Sequence, residues 1–306
     1  MSSTPNVSAR FAKNRFRNTK ELIIEIILFF AAFVSVATTV GIIWVLVSES
    51  IHFFEHVSFF DFITDTLWTP LFEDAHYGIM PLLAGTLTTS LVALSAAIPL
   101  GTIIAIYLSE FANHKVREVV KPFLELLGGV PTIVYGYFAL VVITPLLQIV
   151  FPELPGFSML SAGLVMGVAI IPYISSLAED AMRAVPMSMR EGSYAAGATR
   201  LQTALRVVFP AALSGILSAY ILGISRAVGE TMIVAVAAGM QPNLTMNPME
   251  PAQTISAYIV QVALGDLPHG SIGYQSIFAA GLALMLLTLV FNILGHLLRK
   301  RFREVY

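Results

Sequence analysis

Cysteine is absent from the chain, which excludes disulfides, thiolate catalysis and cysteine-ligated metal sites and leaves the redox compartment undetermined. Charge is scarce: 12% of the 306 residues are Asp, Glu, Lys or Arg, about half of the roughly 25% usual in a soluble domain. A soluble globule could not cover its surface with so little charge. Nothing matches G-x-x-x-x-G-K-[ST], so there is no P-loop with which to bind and hydrolyse ATP. The six histidines are scattered, without an H-E-x-x-H, and only His52 and His56 stand at i, i+4. No Ser/His/Asp constellation can be defended. Inverted internal repeats of the kind found in many secondary transporters are not visible, and the strand-length alternation of a barrel is missing. The chain does not read as an enzyme.

What is present is hydrophobicity: 57% of residues are apolar and the mean hydropathy is +0.80. Six stretches provide the roughly 20 apolar residues of a membrane span: 22–47, 81–108, 122–150, 159–178, 211–240 and 276–298. The third and fifth are long enough to tilt or to break in two. The first is too long for a signal-peptide core of roughly 7–15 residues and reads as a retained anchor. In lipid only helices or closed barrels satisfy the backbone, so the expected fold is all-α and polytopic, with six transmembrane helices. The expected organisation is a basic tail over 1–21, a first helix over 22–47, an outer loop over 48–80, a five-helix domain over 82–295 and a basic tail over 296–306.

Sixteen of the seventeen basic residues fall on one side of six spans. They are Arg10, Lys13, Arg15, Arg17 and Lys20; Lys115, Arg117 and Lys121; Arg183, Arg190, Arg200 and Arg206; and Arg299, Lys300, Arg301 and Arg303. The other side carries Glu49, Glu55, Asp61, Asp65, Glu73, Asp74, Glu153, Glu250 and Asp266. The positive-inside rule therefore places both termini in the cytoplasm. The outer loop 48–78 is acidic and aromatic (Phe53, Phe54, Phe59, Phe60, Trp68, Phe72), which suits either a docking surface or a belt seated on lipid headgroups. Within 241–275, the apolar stretch 254–264 is too short to span and reads as a re-entrant or interfacial helix.

Segment 179–210 is the most informative cytoplasmic part. Ser188 and Glu191 have capping-box spacing, Gly197 is placed to end the short helix in a left-handed turn, and Thr199 and Gln202 repeat the box. Leu201, Leu205 and Val208 follow at helical spacing, and Pro210 marks the start of span five. Glu191, Gly197 and Pro210 resemble the EAA-x3-G-x9-I-x-L-P loop of ABC importer permeases, with Gly192-Ser193 for the alanines, Val207 for Ile and Phe209 for Leu. That resemblance implies the type I ABC importer permease fold and a coupling helix seated on a separate ATPase subunit.

The seventeenth basic residue, Arg226, lies mid-span with Glu230 four residues on, among small residues on one face. Two readings stand: an ion pair that locks helix packing, or a cation on an anion pathway, where a planar guanidinium suits an oxyanion. Arg226-Ala227-Val228-Gly229-Glu230-Thr231-Met232 is similar to the R-A-x-G-E-T segment of phosphate-specific importer permeases, of the PstC type. The stretches around Gly78 to Ser90 and Gly129 to Gly136 are also similar to that type. The resemblance implies a substrate pathway with Arg226, Glu230, Thr231, Thr132, Tyr135 and Thr89, and a coupling surface with Ser188, Glu191, Gly197 and Pro210. It implies as partners a paralogous PstA-type permease, two copies of a cytoplasmic ATPase and an external phosphate-binding protein, with no nucleic acid. No cofactor is expected on this chain, ATP and Mg being held by the partners. The alternatives are an importer for another oxyanion (phosphonate, sulfate or molybdate) and a proton-coupled secondary transporter.

Overall fold

The computed structural model describes residues 15–301. Arg10, Lys13 and Arg303 of the basic tails lie outside the described residues. Among these, five helices are long and apolar enough to cross a membrane, and a bent pair makes a sixth.

α1 (Arg15–Phe54) is one unbroken helix of 40 residues, longer at both ends than the apolar run that signals it. At 1.5 Å per residue it is about 60 Å long, twice the hydrocarbon thickness of a bilayer. Its middle is exposed, as expected of a helix bathed in lipid. α2 (Phe59–Thr64) folds back beneath its end. Phe53, Phe62 and Trp68 are buried there in a cluster with Tyr258, and the Trp68 and Tyr258 rings meet edge-on at 4.9 Å. Part of the aromatic set in the outer loop is therefore core. Phe59, Phe60 and Phe72 remain on the surface.

α3 (Met80–Ile106) ends in a π-helical turn, Tyr107–Phe111. The third apolar run divides differently from the sequence expectation. Its first residues belong to α4 (His114–Gly128), an amphipathic helix capped by Asn113 with none of its residues buried. The chain breaks at Gly129–Pro131 because proline removes a donor and disfavours helix in the residue before it. The span proper is then α5 (Thr132–Phe138), a π turn at Ala139–Ile143 and α6 (Thr144–Val150). The expected start near residue 122 is thus corrected to Thr132.

α7 (Met159–Arg183) is the central helix, buried along much of its length, and it packs most extensively on α3. Gly163 makes the close approach possible: a Cβ there would lie 2.7 Å from Val92 Cβ. α8 (Met187–Ala195), α9 (Arg200–Thr203), a π turn at Ala204–Val208 and α10 (Phe209–Ala211) form the loop that follows. A 74° bend leads into α11 (Leu213–Val228). After a break comes α12 (Met232–Ala237), so the fifth apolar run is two helices. α13 (Ile255–Gln261) is the short helix expected within 254–264; it is buried at Ile255 and Tyr258 and packs between α3, α12 and α14 (Ile272–Arg301).

Candidate functional site

The break between α11 and α12 decides what Arg226 can touch. Gly229 caps α11, Ser256 of α13 donates to the Glu230 carbonyl at 2.6 Å, and Thr231 Oγ1 donates to the Gly229 carbonyl at 3.3 Å. Glu230 is turned toward α12, where its carboxylate accepts from the Ile233 N–H at 3.4 Å. The expected Arg226–Glu230 pair therefore does not form, because i, i+4 neighbours meet only when a helix runs through both. The guanidinium instead lies over the Tyr173 ring of α7, 4.1 Å from its centroid. Among the described residues it has no carboxylate within ion-pair distance.

Tyr173 also ties this cation to the other broken span. Its hydroxyl donates to the Gly128 carbonyl at 2.8 Å, and the Tyr135 hydroxyl donates to the Leu127 carbonyl at 2.7 Å. Two tyrosines thus bond carbonyls in the last turn of α4, where helical donors run out, although Leu127 also accepts from the Val130 N–H at 3.3 Å. Thr132 opens α5 directly after the break, partly exposed. α5 and α12 pack together, so the two broken segments lie side by side. Arg226, Tyr135, Thr132, Glu230 and Thr231 accordingly gather around paired helix breaks. Thr89 does not join them: it is buried in α3 with its hydroxyl on the Gly85 carbonyl at 2.8 Å. Thr86 likewise serves packing, donating to the Leu82 carbonyl and accepting from the Ile255 N–H.

Two buried carboxylates organise the end of the molecule that carries α8. Glu179 is fully buried and receives Arg117 at 2.7 Å and Lys121 at 2.9 Å from α4, with Arg183 at 3.7 Å. Lys121 also reaches Asp180 at 2.6 Å. Burial alone would lower the Lys121 pKa, but its bonds to Asp180 and Glu179 outweigh that and raise it. These contacts hold an otherwise exposed amphipathic helix against α7. Glu110, in the π turn after α3, takes Arg190 at 2.9 Å and 3.3 Å, and the same guanidinium donates to the carbonyls of Val185 and Met182. The base of α8 is thereby fastened to the π turn after α3 by a bidentate pair, and to the end of α7 by the bond to the Met182 carbonyl.

α8 itself starts differently from the sequence expectation. Pro186 takes the N-cap position with an extended ψ of 142°, which moves Ser188 inside the helix, where it cannot cap. The Ser188–Glu191 capping box is therefore absent. Gly197 does adopt the left-handed conformation, at φ +83°. The Thr199–Gln202 box is complete, with bonds of 2.8 Å and 3.3 Å. The following π turn rotates Leu201 and Leu205 outward while Val208 is buried, so those three do not share a face. Pro210 sits within α10 just before the bend. Ser188, Glu191, Gly197 and Pro210 are all exposed, on the loop beyond the Arg190 clasp.

Sequence reasoning missed Tyr173, Glu179, Glu110 and Arg190 as site residues. Glu110 had a signal, being an acid at the basic end of an apolar run. Glu179 and Arg183 stand at i, i+4, but Tyr173 had no signal beyond being a hydroxyl-bearing aromatic beside Pro172.

Residues 97–304 match the family described as binding-protein-dependent transport system inner membrane component. A probable ABC transporter permease protein, YqgH of Bacillus subtilis, is 35% identical over 80% of this chain and 79% of its own. The phosphate transport system permease proteins PstC of Mesorhizobium japonicum and Haemophilus influenzae are 34% and 30% identical, over 75% and 85% of this chain and 75% and 88% of theirs. Among solved structures, the fold is similar to that in a bacterial ABC transporter involved in the import of the acidic polysaccharide alginate. There the TM-score is 0.63 and the identity 17%, over 94% of this chain and 100% of that one. The inward-facing MetNI methionine ABC transporter gives 0.55 and 19%, over 74% and 95%. These structures speak for the fold, that of type I importer permeases. With more than half its length in the family match and such relatives along most of it, the chain belongs to the inner-membrane components of binding-protein-dependent transport systems, the ABC importer permeases.

Proposed function

We propose that this chain is the permease subunit of an ATP-driven importer that moves inorganic phosphate across the bacterial plasma membrane, with both termini cytoplasmic. The observation that carries the reading is Arg226: a cation beside two helix breaks, lying over a ring and, among the described residues, unopposed by a carboxylate. Relatives named for phosphate transport support the choice of anion. Moving a phosphate through a low-dielectric core uncompensated costs several kcal/mol. A guanidinium whose face rests on Tyr173 still presents its edge, where paired N–H groups match two oxygens of a tetrahedral oxyanion. Arg226 is then the main cation on this subunit's half of the pathway, and Tyr173 supports it when no anion is bound. Thr132, at the start of α5, and the backbone at the breaks supply further donors in this reading.

The chain does no chemistry itself in this reading. ATP and Mg are held by two copies of a cytoplasmic ATPase, which grip α8 and its exposed Ser188, Glu191 and Gly197 surface. A paralogous PstA-type permease completes the pathway, and an external phosphate-binding protein delivers the anion. The test is uptake of labelled phosphate by the reconstituted complex. Arg226→Gln should abolish uptake while the subunits still co-purify. Failure to assemble would make Arg226 structural. Uptake that sulfate or molybdate competes away as well as phosphate does would overturn the substrate.

A further inference from the structure

α11 and α14 meet closely where Gly295 lies against Ile221, and Ser225 donates to Asn292 at 3.0 Å. One turn nearer the basic end of α14 they part, and a cleft of about 560 Å³ opens. Its walls are Ser214, Gly215 and Ser218 of α11 and His296, Arg299 and Lys300 of α14. A smaller cavity of about 250 Å³ continues it past Ile221, Leu222 and Asn292. The small α11 residues leave the room, and the α14 residues supply the charge. Among the described residues, no carboxylate lines either cavity. By contrast, Arg117, Lys121 and Arg183 are held by Glu179, and Arg190 by Glu110. Arg299 donates to His296 Nδ1 at 3.2 Å, which leaves the imidazole proton on Nε2 and available as a third kind of donor.

The surroundings are apolar. Ile293, Leu294, Leu297 and Leu298 of α14 and Leu222 of α11 are each about half exposed, as lipid-facing side chains are. A cleft of this volume holds a small polar group with room for its substituents. We propose that it binds the phosphate headgroup of an anionic phospholipid, whose acyl chains lie on the Leu222, Ile293 and Leu297 surface. Free inorganic phosphate carries the same charge but makes no use of that surface. The cleft is also distinct from the substrate pathway: Ser218 precedes Arg226 by two turns of α11, about 12 Å. The inference does not depend on which anion the protein transports.

The experiment is native mass spectrometry of the full chain in a neutral detergent, with phosphatidylglycerol or phosphatidylcholine of matched chains added. The wild type should retain phosphatidylglycerol preferentially, and millimolar inorganic phosphate should not displace it. Arg299→Gln with Lys300→Gln should cut that preference about thirtyfold, roughly fivefold for each cation removed. Ser218→Trp, which fills the cleft and keeps the charges, should lose the lipid as well; if it does not fold, the exposed Arg299 and Lys300 variant decides alone. Equal retention of the two lipids, or an unchanged preference in the Gln variant, overturns the proposal. Displacement by inorganic phosphate would make it a free-anion site, and crosslinks from position 218 in membranes that land on protein and not lipid would make it a subunit contact. Either result refutes the lipid.

Discussion

An arginine at mid-membrane costs about 2.5–3.5 kcal/mol on insertion scales, and Arg226, in the last turn of α11, offsets this with an aromatic face instead of a carboxylate. The two tyrosine functions are separable. Tyr173→Phe keeps the ring under the guanidinium and loses only the bond to Gly128, so uptake should fall less than about threefold, in keeping with one hydrogen bond near 0.5 kcal/mol. Tyr173→Leu removes the ring and should cost about tenfold or more in uptake at unchanged subunit assembly. Glu230→Gln should be mild, because an amide oxygen can still accept from Ile233. A severe loss there, with assembly intact, would return the carboxylate to the pathway. A separate residue pair sets a pH dependence. His76 Nδ1 and Asp65 Oδ2 are 2.8 Å apart across the outer loop. The bond to Asp65 raises the His76 pKa above the ordinary 6.5, so its contribution is whole below 6.5 and is lost as pH rises through the raised value. For Asp65, burial alone would raise the pKa, but the bonds from His76 and the Leu67 N–H lower it below 3.8. That contribution is lost only as pH falls through the lowered value. Amide exchange in 65–78, corrected for intrinsic rate, should therefore speed up as pH rises above 6.5, and His76→Gln should flatten the change.

Among the elements, α8 gives the clearest prediction. Arg190→Ala leaves Glu110 buried without its partner, which should lower stability by about 3–5 kcal/mol in thermal unfolding of the detergent-solubilised chain. Gly197→Val acts elsewhere, forcing a β-branched residue to φ +83° in open space, and should impair uptake while the chain still inserts in the membrane. The apolar runs of α1, α3, α7 and α14 were legible because nothing but a buried or lipid-facing helix needs such length. The third run misled because the apolar stripe of α4, ending in Leu126 and Leu127, abuts the span without a polar gap. Only Gly129 and Pro131 mark the join. The second capping box was legible at Thr199 and Gln202 because cap chemistry is local. The first failed because Pro186 takes an extended conformation equally suited to the N-cap. The Arg226 position was readable from its charge, whereas its partner was not. Whether a helix survives through Gly229 and Glu230 depends on Ser256, which is remote in sequence and holds the break open.

At the scale of the whole molecule, the basic end defined by Arg117, Lys121, Arg183, Arg190 and Arg299 and the acidic aromatic end around Asp61 and Trp68 lie at opposite ends of the long helices. A cysteine placed at position 61 of this cysteine-free chain should react with impermeant reagents only from outside the cell. Labelling only from the cytoplasm would reverse the orientation. The large-scale consequence lies in α7, which is fastened through the Met182 carbonyl to Arg190 at its foot and carries Tyr173 partway up. Tyr173 is ten residues from Arg183, about 15 Å along the axis. α7 is therefore a lever with a short arm. A tilt of about ten degrees about its foot carries the ring sideways by about 2.6 Å, which stretches the 4.1 Å stacking distance to about 4.9 Å, part of the way to the roughly 6 Å at which the attraction fades. Leaning that single rod loosens the cushion under the cation without removing it, so the hold on Arg226 is graded by how upright α7 stands.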